Sequence, residues 1–278
     1  MTSLPFVAAP RNSAPLFRYL LLTFGLAWLC LGLAILSSYQ LIPLPFSVYV
    51  TLGTLAPTIG AVVVTYRETG WPGVRSLLAQ AARWRLASGW YALVIFGSAG
   101  MVFSAYLLSQ ALGGPRLAAP ASAVWLSVPI MLAVLTIFAL TEEIGWRGFA
   151  LPRLQTRYGA LVAALAVGII HGLWHLPVWF IAGAGYDNLP FPAFVLFTIG
   201  LSVVFAWLYN RTGSVLLTGL AHASVNAFGS VWGAAAYALP AAARGANPVL
   251  YMSIVLVLIA AWLVFSTRAR LGASPSAR

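Results

Sequence analysis

Residues Tyr19–Leu36 read YLLLTFGLAWLCLGLAIL, an unbroken run with no charged side chain. Coiled as a helix, such a run is about 27 Å long, close to the roughly 30 Å hydrocarbon core of a bilayer. It is too long for the apolar region of a signal peptide, and no small-x-small cleavage site follows it cleanly. It therefore reads as a membrane span that stays in place. Outward from it the pattern recurs: spans are expected near 18–37 (17–38 with its flanks), 46–66, 90–112, 123–150, 160–182, 190–210, 213–233 and 248–266. The expected fold class is all-α, a polytopic integral membrane helix bundle of about eight transmembrane helices. It forms one domain over 1–278, with 267–278 a short cytoplasmic tail.

Composition agrees with the spans. Of 278 residues, 62% are hydrophobic and 7% are charged. A soluble domain carries about 25% charged residues, so this chain cannot coat a water-facing surface. A soluble enzyme, a secreted disulfide scaffold and a disordered tail are all excluded. Cys30, the single cysteine, lies inside an apolar run and reads as an apolar filler.

The formal charge is +11, and all 15 basic residues are arginine. Because these arginines punctuate apolar runs, they orient the chain in a bilayer, and nucleic acid is not expected as a partner. Eight spans put 13 of the 15 on one side, leaving Arg116 and Arg244 opposite. By the positive-inside rule both termini are cytoplasmic, in a multi-pass protein of the cell membrane. The stretch Gly73–Arg85 reads as a short surface helix with Leu77, Leu78 and Ala81 on one face.

Ionisable groups inside a bilayer cost about 2.5–3.5 kcal/mol each even on lenient insertion scales. Two of the four acids and all three histidines nevertheless fall within expected spans. Glu142 and Glu143 are adjacent, so on a helix they point about 100° apart and cannot share one role. Glu143 and Arg147 stand at i, i+4 and can pair. His171 and His175 share that spacing, as do His222 and Asn226 on a span rich in small residues. Small residues permit close helix approach, which makes that seventh span central. The bland alternatives are a charge ladder near the interface and interhelical hydrogen bonds.

At these residues the chain resembles the CAAX-protease and bacteriocin-processing family of intramembrane proteases, the group that contains the Ras-converting enzyme. Three short patterns carry the resemblance, in order and on separate spans: Glu142-Glu143…Arg147, His171…His175 and His222…Asn226. The resemblance implies that Glu142 and His175 activate a water and that His222 and Asn226 stabilise the oxyanion. Glu143, Arg147 and His171 would be supporting residues. The family often has Phe where this chain has His171.

The chemistry of hydrolysis asks for the same parts: an activated water, a proton carrier, and donors where negative charge develops. The expected activity is that of an intramembrane endopeptidase, cutting near the C-terminus of a membrane-associated or prenylated peptide or membrane-protein substrate. A metal-free glutamate mechanism is favoured, under which His171→Phe is nearly silent. The alternative is a zinc enzyme held by Glu142, His175 and His222, with His171 as a further ligand. Outside catalysis, the same fold could serve as a membrane scaffold or immunity protein, or as a proton or metal transporter.

Overall fold

The computed structural model describes residues 13–186, 189–237 and 247–273. Arg11, Asp187, Arg244 and Arg278 lie outside the described residues, as do positions 274–278 of the expected tail. Ten α-helices are described: α1 (Ala14–Ser38), α2 (Phe46–Thr54), α3 (Ala56–Ala79), α4 (Ser88–Ala111), α5 (Ser122–Glu143), α6 (Leu151–Tyr158), α7 (Ala160–Trp174), α8 (Phe191–Thr212), α9 (Val215–Tyr237) and α10 (Pro248–Ser266). A π-helical segment, Ile144–Ala150, joins α5 to α6, and a 3₁₀ turn, Leu176–Phe180, follows α7. No strand occurs among the described residues.

Seven helical stretches among the described residues are long and apolar enough to cross a membrane, and α9 is a further helix of 23 residues. Large apolar side chains cover the outside, among them Leu126 (78% exposed), Ile130 (71%) and Phe265 (87%). Such a surface is stable only against lipid. The protein is a polytopic helical membrane bundle.

Three local departures from the expected spans have physical causes. The second span is two helices, α2 and α3, meeting at Leu55 ahead of Pro57. Gly70 then turns the chain at φ +66°, ψ −161°, a conformation open to glycine. The surface helix beyond it ends at Ala79 and not at Arg85, and it buries Val74 with Leu77 while Leu78 is 41% exposed. The fifth span stops at Trp174, because Pro177 has no N–H for the carbonyl of Leu173 and disfavours helix just before it.

In the packing, α8 lies between α7 and α10, α9 packs on α4 and α5, and α1 packs on α2 and α3. The contact between α7 and α8 is a close one. A Cβ on Gly168 would stand 2.6 Å from the Ile199 Cα, and one on Gly172 would stand 2.7 Å from the Thr198 Oγ1. Thr198 Oγ1 in turn donates to the Gly168 carbonyl at 3.0 Å. This close seam fixes the helix that carries His171. Gly168→Ala is expected to lose about 1–3 kcal/mol through overpacking, read as a lowered unfolding temperature in detergent. An unchanged temperature would mean that the seam is loose.

Candidate active site

Glu142 and Glu143 end α5, where the backbone widens into the π-helical segment. π-helical turns are rare and concentrate at functional sites. Gly145 permits this one to sit against α3, since a Cβ there would lie 2.6 Å from the Pro57 carbonyl oxygen. The whole segment Ile144–Ala150 is buried.

The two glutamates do point apart, and each has its own set of partners. Glu143 is fully buried, and its Oε1 accepts from Arg147 Nη1 at 3.0 Å, the i, i+4 pair read from the sequence. The same oxygen accepts from His222 Nδ1 on α9, also at 3.0 Å. The guanidinium of Arg147 lies over the Phe205 ring, 5.0 Å from its centroid. Glu143 thus joins the α5 end to α9, and Arg147 reaches toward α8.

Glu142 faces the other way. Its Oε2 accepts from His171 Nε2 on α7 at 3.0 Å. His175 caps α7, and its Nδ1–H donates to the His171 carbonyl at 3.0 Å. A carbonyl oxygen can only accept, so the proton sits on Nδ1 and the neutral ring presents a lone pair at Nε2. Glu142 is 8% exposed, His171 6% and His222 9%, so the groups are buried yet brush the surface.

Aromatic rings wall the cluster. Trp146 stacks on His171 with centroids 5.1 Å apart, and Trp174 lies 5.8 Å from the same ring. Tyr19 of α1 packs edge-on against Trp146, and Trp28 Nε1 donates to the Trp174 carbonyl at 3.1 Å. A tryptophan near the end of a span is ordinarily an interfacial anchor. Trp146 and Trp174 are instead buried beside the ionisable cluster, and their closeness in sequence to Arg147 and His175 was the available signal. Nothing local to Tyr19 or Trp28 marks them.

All seven predicted residues lie on α5, the π-helical segment, α7 with its C-cap, and α9, but they do not form one equal set. Glu142, His171 and His175 gather, with ligand-type atoms all within 4.8 Å of one another. The expected zinc set of Glu142, His175 and His222 is not the one the geometry gathers. His171 takes the third place, while His222 turns its Nδ1 to Glu143. Two imidazoles and a carboxylate are the donor chemistry of a catalytic zinc site, though bonds of about 2.0–2.1 Å would require the three to draw closer. Asn226 stands one turn beyond His222, exposed, with no side-chain hydrogen bond among the described residues.

Residues 123–228 match the family described as type II CAAX prenyl endopeptidase Rce1-like. That segment contains every one of the seven residues above. A protein of Methanococcus maripaludis named CAAX prenyl protease 2 is 32% identical over an alignment of 108 residues that covers 36% of this chain. The aligned part spans only 39% of that relative's length.

Proposed function

We propose, from the match of residues 123–228 to the Rce1-like family, that the chain is an intramembrane endopeptidase. The observation that carries the reading is the buried Glu142 carboxylate, with one oxygen held by His171 and the His175 ring alongside. Oε1 of Glu142 is then the oxygen offered to a water. It takes a proton as the water oxygen attacks the peptide carbonyl, and it returns that proton to the departing amine. The Nε2 lone pair of His175 accepts a hydrogen bond from the same water.

Negative charge developing on the carbonyl oxygen needs donors. The exposed amide of Asn226 is one. His222 is the other, and its pairing with Glu143 sets a condition on it. Because Nδ1–H already points at Glu143, Nε2 carries a hydrogen only when the ring is an imidazolium. The carboxylate of Glu143 balances that charge. Counting Glu142, Glu143, Arg147 and such a His222, the buried cluster is formally neutral.

A second reading has a specific observation behind it, the grouping of Glu142, His171 and His175. These three residues would hold a zinc ion. The ion would lower the pKa of a bound water and polarise the substrate carbonyl.

The substrate class follows from setting and kinship: a peptide near the C-terminus of a membrane-associated or prenylated chain, reached within the bilayer. The proposed orientation in the cell membrane keeps both termini cytoplasmic, as the arginine bias requires. The test is cleavage of prenylated and unprenylated peptides by the detergent-purified protein, with and without chelator, alongside metal content by mass spectrometry. Chelator-resistant cleavage by metal-free protein is expected. Stoichiometric zinc with chelator-sensitive cleavage would replace the glutamate mechanism by the zinc one. No cleavage of any membrane-associated peptide would overturn both.

A further inference from the structure

We propose that His171 is the positioning residue of the site, orienting Glu142 through its ring and His175 through its backbone; this rests on the endopeptidase reading above. The family resemblance alone implies for His171 a supporting place where Phe is often found. The geometry gives it a larger part. A carboxylate only accepts, so Nε2–H of His171 is the donor to Oε2 of Glu142, and the bond ties α5 to α7 across 29 residues.

The ring itself is held still. Trp146 stacks on it at an interplanar angle of 29°, Trp174 packs at 52°, and the residue is 6% exposed. Behind it, Gly172 keeps α7 tight on Thr198 and Val195 of α8. A free glutamate side chain is rich in rotamers, and ordering one costs conformational entropy. Anchoring Oε2 removes that freedom before substrate arrives and leaves Oε1 as the working oxygen.

The same residue acts a second time. Its carbonyl accepts Nδ1–H of His175, just beyond the last helical turn. That bond fixes the His175 tautomer with its lone pair at Nε2. The base and its neighbouring imidazole are therefore set by one residue of α7, in two directions.

A phenylalanine at 171 retains the stack on Trp146 and the backbone carbonyl, and it removes only the donor to Glu142. Misplacement of a reacting group by about 1 Å costs on the order of 100-fold. His171→Phe is expected to lower kcat by roughly 10- to 100-fold with KM little changed. His171→Gln, whose amide N–H reaches about as far, is expected to recover most of the loss. A purely structural role would move both variants together.

A readout independent of turnover comes from the composition. The chain has three glutamates, Glu68, Glu142 and Glu143. Protein labelled with carbon-13 at the glutamate carboxyls gives three signals, assigned with the Glu→Gln variants. In chelator-treated protein, the Glu142 signal should shift in His171→Phe, return toward wild type in His171→Gln, and leave Glu68 unmoved. An unshifted Glu142 signal, or a wild-type kcat in His171→Phe, overturns the proposal while peptide cleavage by wild type upholds the wider reading. If wild type cleaves nothing, that reading fails, and the carboxyl signal still decides whether His171 orients Glu142.

Discussion

Glu142→Gln is expected to reduce peptide cleavage by about 10²–10⁴-fold, the range that a general base supplies. The substitution is nearly isosteric. Its amide oxygen can still accept the His171 Nε2–H that Oε2 accepts at 3.0 Å, so the α5–α7 contact survives. What is lost is the charge on Oε1, the oxygen proposed above to take the proton of the water. The measurement is kcat on a cleaved peptide, together with the unfolding temperature of each protein. Loss of cleavage in a variant as stable as wild type places the base at Glu142. Retention of activity within about fivefold would remove Glu142 from that role, since a general base typically supplies at least about 100-fold.

The second large effect falls on stability. Arg147→Ala is expected to cost about 3–5 kcal/mol, because removing one member of a buried pair strands the other charge. Glu143 is fully buried and would be left with His222 alone. A control is built into the fold: Arg153 pairs with Glu68 at 2.8 Å, but those side chains are 23% and 19% exposed. Partly hydrated pairs contribute about 0–1 kcal/mol, so Arg153→Ala should lose far less, apart from its packing over the Phe149 ring. The comparison is made by thermal unfolding in one detergent. Equal losses at the two arginines would show that the Glu143 cluster is hydrated and that its burial does not set the cost. Because Glu143 also holds His222, a surviving Arg147→Ala fraction should also cleave poorly.

The bundle was legible in the sequence because its solvent is a lipid. Runs such as Tyr19–Leu36 announce their length and polarity without reference to any neighbour. The acids and histidines inside those runs were legible for the same reason: each is costly there and needs a purpose. The pairing among them was not. Glu142 meets His171 and Glu143 meets His222, and both choices depend on how α5, α7 and α9 rotate about their axes. Spacing fixes what shares a face within one helix, and nothing in it fixes which face meets which. The i, i+4 pair of Glu143 and Arg147 lies within one helical run and was readable. The end of α7 at Trp174 was half readable, since Pro177 marks the break but not the 3₁₀ turn that follows.

The first helix carries a lesson for anyone exchanging parts between relatives. Tyr19 rests on Trp146 and Phe149, and Trp28 holds the carbonyl of Trp174, yet both belong to α1, well ahead of the segment that matches the family. A chimera that transplanted 123–228 alone onto a foreign first helix would keep every ionisable side chain of the site. It would lose the wall against which Trp146 and the 3₁₀ turn are seated. The unit of inheritance here is therefore discontinuous: the segment bearing the charges and the helix bearing its aromatic backing have to travel together.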